Sequence, residues 1–219
     1  GAHPDPDAIY RARETFLQAL SQHFQDVLPR IYAQHQVSAA YRPDAAQSGA
    51  RALSNAALSL LCRLDGGKAA AAQFTAADNM TQQIAALGSL LRSGRGEDAL
   101  EAFYQQWKSE RLVVDKWFAI QIACAAPEAA VSLAEQLTLH PDFTIKNPNR
   151  FRSVFRPLAG NFAAFHQISG EGYKMMTDWL IKLDQINPQL AARGCGVFET
   201  LGQFDPQRQS LIQIGRAHV

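Results

Sequence analysis

The chain has 219 residues, 47% of them apolar and 19% charged, with a formal net charge of +1. That length and apolar content bury one substantial core, as one large domain or two small ones. The near-zero charge excludes a general field for nucleic acid or an anionic membrane, so any basic site has to be local. Charged residues this sparse point to surface that something else covers. Three cysteines, Cys62, Cys124 and Cys195, are isolated and odd in number. They read as small buried apolar residues of a reducing compartment, and the expected location is the cytoplasm. No apolar run approaches the roughly 18 residues of a membrane span, and no signal peptide pattern opens the chain. The start Gly-Ala-His, without methionine, reads as a piece of something longer.

Proline punctuates the chain in one way. Asp5-Pro6, Asn147-Pro148, Asn187-Pro188 and Asp205-Pro206 each set a capping side chain before a proline suited to the first helical position. The proline costs nothing there, because its missing N–H would be unpaired anyway. Between these marks the periodicity is helical. Asp7 to His23 carries Ile9, Phe16, Leu17 and Leu20 at helical spacing, continued by Phe24. Val27 to His35 is a shorter helix. Ala45 to Leu64 presents Ala52, Leu53, Ala56, Ala57, Leu60 and Leu61 as one broad apolar face, and Gly66-Gly67 ends it.

Further helices are predicted over Lys68 to Ala77, Asn79 to Arg92 and Glu97 to Trp107, with a turn at Ser93-Gly94-Arg95-Gly96. Leu112 to Ala125 mixes strand propensity with apolar positions 113, 114, 117, 118 and 122, which fit a buried helix better. Pro127 to Leu139, Asn147 to Pro157, Gly172 to Ile186, Asn187 to Thr200 and Pro206 to Ile212 complete the set. No alternating strand pattern survives. The expected fold is therefore all-α, a superhelical array of short antiparallel helix pairs of HEAT or ARM type. No fixed repeat length appears, which argues against a regular TPR or ankyrin array. A single helical domain is expected over 1–213. Residues 214–219 coincide with one reading frame of a common sequencing adaptor and are expected to be a non-native tail.

Catalytic chemistry is hard to find. The six histidines include no pair one helical turn apart with a glutamate between, as H-E-x-x-H requires. The cysteines lack C-x-x-C spacing, and there is no G-x-S-x-G elbow and no P-loop. Gly170-Glu171-Gly172 reads as a helix-start turn. Two constellations remain. Gln189 and Arg193 stand four apart at a helix start, where backbone N–H groups favour anions and a guanidinium could hold a carboxylate or a peptide carbonyl. Spacing alone favours a solvated surface pair or an arginine closing an interhelical salt bridge. Arg152 and Arg156, one turn apart beside Phe151 and Phe155, could bind RNA, but an amphipathic helix with core phenylalanines accounts for them better. Trp107, Trp117 and Trp179 are most simply core.

The stretch His140 to His166, HPDFTIKNPNRFRSVFRPLAGNFAAFH, is the most distinctive. Together with Gly170-Glu171-Gly172-Tyr173 it resembles the C-terminal domain of bacterial aminopeptidase N, of the M1 zinc metallopeptidase family. The likeness starts at Asp5-Pro6-Asp7-Ala8-Ile9-Tyr10. It runs through Phe74, Ala77-Asp78-Asn79-Met80-Thr81, Val114-Asp115-Lys116-Trp117-Phe118 and Asn187-Pro188-Gln189 to Phe204-Asp205-Pro206-Gln207-Arg208-Gln209. Gly194-Cys195-Gly196 departs from it, with two glycines in place of branched apolar residues, and this loosens that helix. The family's final helices are also missing beyond Leu211, so the core is expected to be open at that end.

The resemblance implies a noncatalytic, fourth helical domain that closes over the zinc-bearing domain of a parent enzyme. In doing so it would form a chamber that admits peptides. It implies that Gln189 and Arg193, and with them Arg152, face that chamber. It implies no catalytic residue and no cofactor in this chain, with zinc held by the parent's catalytic domain. The implied partners are the catalytic and other domains of the parent and peptide substrates, with no nucleic acid and no membrane. The competing reading is a stand-alone helical-repeat scaffold that binds protein or RNA, which should show a polar rim and capped ends. A domain that docks on others should instead expose an apolar face.

Overall fold

The computed structural model describes residues 3–37 and 39–216. Of the expected non-native tail, residues 217–219 lie outside them. The described residues form helices joined by turns and short connections, with no strand among them. In chain order the helices are α1 (Pro6–His23), α2 (Leu28–Gln34), α3 (Ala45–Asp65), α4 (Lys68–Ala76), α5 (Met80–Arg92), α6 (Glu97–Trp107) and α7 (Arg111–Cys124). They continue as α8 (Pro127–Thr138), α9 (Pro148–Gly160), α10 (Phe162–Phe165), α11 (Glu171–Asp184) and α12 (Pro188–Gly194). A 3₁₀ segment (Cys195–Gln203) and α13 (Pro206–Arg216) end the chain. None of the described helices is long and apolar enough to cross a membrane.

The four Asx-Pro starts work as local chemistry dictates. Asp5 Oδ1 accepts from the amides of Asp7 and Ala8, at 3.0 and 3.1 Å. Asn147 Oδ1 accepts from Asn149, Asn187 Oδ1 from Leu190 and Asp205 Oδ1 from Arg208, each at 3.0 Å. Each bond satisfies an amide that the first helical turn cannot pair.

Two compact units result. One is Ala12–Lys108, in which α3 packs on α2, α4 and α5, and α6 follows on α5. Its core joins Leu58, Cys62, Ala70, Ala86 and Leu90. Here the sequence reading of α3 is corrected. Leu53 is 45% exposed and Ala52 and Ala56 face solvent, whereas Gln47, Arg51 and Ser54 on another face are buried. The buried polar groups are satisfied. Gln47 Oε1 accepts from the Arg42 amide at 2.8 Å and from Arg51 Nη1 at 3.0 Å, and Arg51 Nη2 donates to Arg42 O at 3.0 Å. Gln36 Nε2 reaches Ser54 Oγ at 2.7 Å. An alanine-rich helix is apolar on several sides, so tertiary hydrogen bonding to the connection before α3 decides which side turns inward.

The other unit combines the residues up to Arg11 with those from Ser109 on. Its most extensive packing is α7 against α9, then α11 against α12. Phe118, Phe155, Phe165, Tyr173, Leu180 and Phe204 are fully buried. The boundaries beside α9 and α12 differ from the sequence reading. Helix α9 does not stop at Pro157 but runs on to Gly160, because a proline removes one donor without forbidding the next turn. The single helix expected over Asn187 to Thr200 is two pieces, α12 and the 3₁₀ segment. They part at Gly194, where a Cβ would stand 2.4 Å from Leu180 Cδ2, so the backbone lies close against that side chain of α11.

Candidate functional site

Helix α9 is anchored from one side by aromatic packing. Phe151 and Phe155, one turn apart, are buried and stack with ring centroids 4.4 Å apart. Their neighbours Arg152 and Arg156 sit at the same spacing, half-buried and exposed respectively. Helix α12 starts at its Asn187 cap, buries Leu190 and Ala191, and carries an exposed Arg193 in its last turn. Because α12 stops at Gly194 on α11, Arg193 is presented at the point where the chain changes from α to 3₁₀ geometry.

These pieces frame a cleft of about 500 Å³ within this unit, lined by Arg152, Arg156 and Arg193 together with Leu190 and Val197. No aspartate or glutamate lines it. Arg152 Nη1 makes one long bond to Asn149 Oδ1 at 3.4 Å. Among the described residues Arg156 and Arg193 make no side-chain hydrogen bond or ion pair. Three guanidinium groups therefore face one concave space without a protein carboxylate. A guanidinium only donates hydrogen bonds, so the cleft can hold an anion or a carbonyl.

Of the residues singled out from sequence, the structure thus brings Arg152 and Arg193 to one cleft although they come from different helices. Gln189 lies one turn earlier on α12, exposed, and is not among the lining residues. Arg156 completes the trio. Its signal in the sequence was the i, i+4 spacing from Arg152, which alone did not assign it to this face.

Two histidines of this unit are held by packing and hydrogen bonds. His140 Nδ1 accepts from the Asp142 amide at 3.1 Å, and its ring packs on Trp117 and Phe118. His166 is buried and shares a 2.8 Å hydrogen bond with the Tyr173 hydroxyl. Burial, with the Arg208 guanidinium nearby, pushes the His166 pKa down to about 4. Burial likewise pushes the Tyr173 phenol well above its ordinary range. Among the described residues no group of three or more His, Cys, Asp or Glu could hold a metal ion.

A family described as a domain of unknown function, DUF3458_C, with ARM repeats, matches residues 2–215. Aminopeptidase N of Caulobacter vibrioides is 37% identical over 221 residues, which cover 98% of this chain and 25% of that one. Aminopeptidase N of Haemophilus influenzae is 36% identical, over 95% of this chain and 24% of that one. The crystal structure of Legionella pneumophila aminopeptidase A in complex with aspartic acid matches with a TM-score of 0.89 and 27% identity, over 100% of this chain and 28% of that one. The chain spans about a quarter of the length of the curated relatives it matches. With nearly every residue covered by one family and the helical array superimposing on an aminopeptidase, the chain belongs to the DUF3458_C family of ARM repeats, the C-terminal helical domain of aminopeptidase N.

Proposed function

We propose that this domain serves a zinc aminopeptidase as its noncatalytic cap. It closes over the active site of the catalytic domain, walls the substrate chamber and contacts peptides through the α9–α12 cleft. The observation that carries this reading is the meeting of Arg152 and Arg193 in a cleft without any carboxylate. Such guanidinium groups orient a peptide through charge-assisted hydrogen bonds to its carbonyls or its terminal carboxylate. The zinc ion, the general base and the cleavage step belong to the parent's catalytic domain. The part played here is to bind and orient.

The partners in this reading are the catalytic and other domains of the parent, in the cytoplasm. The exposed apolar side chains of α1 support such docking. Ile9 in one unit is 52% exposed, and Phe16 in the other is 63% exposed. Free Cys62, Cys124 and Cys195 fit a reducing compartment. The scaffold reading finds less support. Phe151 and Phe155 are only 4% and 2% exposed, so they offer no platform on which RNA bases could stack.

The test is Arg193→Ala in the full-length enzyme. Loss of one charge-assisted bond costs about 1.5–3 kcal/mol, a factor of roughly ten to a hundred in the binding step. KM should rise by that factor with zinc content unchanged. Wild-type kinetics on both dipeptides and longer peptides would reduce Arg193 to a surface residue.

A further inference from the structure

The unit Ala12–Lys108 contains a second cavity, of about 530 Å³, within the range of small-molecule sites. Four arginines, Arg13, Arg63, Arg92 and Arg95, line it together with a single carboxylate, Glu14. In a chain whose cations exceed its anions by one, this is a marked local concentration. Glu14 is engaged by Arg63, Nη2 to Oε2 at 2.7 Å, and more loosely by Arg13 at 3.8 Å. Arg92 Nη1 reaches only a carbonyl of its own helix, Gly88 O, at 3.3 Å. Among the described residues the Arg95 side chain makes no hydrogen bond or ion pair. It lies against the turn that ends α3, where a Cβ on Gly66 would stand 3.2 Å from Arg95 Nη1.

A structural explanation covers part of this. Arg63 and Arg92 lie in the last turns of α3 and α5, where cations complement the helix dipole. Each helix end counts for about half a negative charge. Two such ends and Glu14 offset about half of the four positive charges. Asp65 accepts from the amides of Gly67 and Ala69, both at 2.8 Å, and its charge also acts on Cys62 in the cavity lining, which offsets a further part. The cavity keeps an excess of positive charge, with Arg92 and Arg95 the least committed. Leu17 and Leu60 add apolar surface beside it.

We propose that this cavity is a binding site for a small organic phosphate, its phosphate held by Arg92 and Arg95 and its apolar body set against Leu17 and Leu60. Planar guanidinium forks match phosphate oxygens in a bidentate way, which a lysine cluster would not do. The site lies in a different unit from the α9–α12 cleft and does not depend on the peptide role proposed for that cleft.

Isothermal titration of the folded chain with phenyl phosphate, and with phenol as the uncharged control, tests it. Saturable binding of phenyl phosphate is expected, at least tenfold weaker for phenol and at least tenfold weaker in the Arg92→Gln/Arg95→Gln variant. Both side chains are exposed, so that variant should keep its far-UV circular dichroism. Glu14→Gln supplies an independent arm of opposite sign, since removing the only lining carboxylate should tighten binding severalfold. Absence of saturable binding, or equal affinity in the wild type and both variants, would overturn the proposal.

Discussion

Arg150 Nε donates to Asp115 Oδ1 at 2.6 Å where the two side chains are only 6% and 15% exposed. The same guanidinium donates from Nη1 to Asp142 O at 2.6 Å and lies 4.7 Å over the ring of Phe118. One side chain of α9 is thereby fastened to α7 and to the connection before α9. Because Arg152 is two residues on, this anchor also fixes the start of the cleft.

Breaking a buried ion pair leaves a charge without a partner and typically costs about 3–5 kcal/mol. Asp115→Ala should therefore lower the unfolding free energy by about 3 kcal/mol, the remaining carbonyl and aromatic contacts keeping it near the low end. Replacing both partners, as Asp115→Ala/Arg150→Met, should recover most of the loss. Urea unfolding measures both, and a single-mutant loss under about 1 kcal/mol would make the pair peripheral.

His166 gives the unit a defined acid response. Its pKa of about 4 in the fold lies below the ordinary 6.5, so the unfolded chain takes up the proton first as pH falls. The stabilisation is complete above pH 6.5, declines between 6.5 and about 4, and is gone below. That interval corresponds to roughly 3 kcal/mol. Protonation would set a buried imidazolium near Arg208, whose Nε donates to His166 O at 2.7 Å. Denaturant titrations at pH 7 and 4.5 should differ accordingly, and His166→Gln should flatten that difference.

Two glycines should answer alanine with opposite signs. A Cβ on Gly172 would stand 2.6 Å from Phe165 O, a backbone atom that cannot swing aside. Gly172→Ala should destabilise by about 1–3 kcal/mol. At Gly160, in the last turn of α9, nothing lies within 4 Å of the added atom. Gly160→Ala should stabilise by about 0.4–1 kcal/mol through the unfolded chain. Melting temperatures moving in the same direction would contradict the packing described for Gly172.

The elements legible in the sequence were those with local causes. An Asx-Pro pair caps its own helix whatever surrounds it, so all four starts could be read in advance. Gly194 and Gly196 gave notice of a loosened helix, but not of the 3₁₀ geometry that follows Gly194. Helix α10 is four residues long, too short for periodicity to reveal it. The inward face of α3 was misread because alanine marks no side, while Arg51 and Gln47 are held by a connection whose path is tertiary. Asp115 and Arg150 are 35 residues apart, and nothing in either neighbourhood announces the other. The family likeness singled out Gln189, Arg193 and Arg152; folding sets Arg152 and Arg193 on one cleft together with Arg156, and Gln189 is not among its lining residues.

The central claim is that Arg152 and Arg193 act on one bound peptide, and a double-mutant cycle in the full-length enzyme tests it most directly. kcat/KM would be measured for Arg152→Ala, Arg193→Ala and the double variant, on a peptide with a free carboxylate and on its amidated form. Two groups holding one ligand should be non-additive, with an interaction energy of about 0.5–3 kcal/mol. The effect should be larger for the free carboxylate. Strict additivity, with equal losses for the carboxylate and the amide, would contradict a shared peptide site.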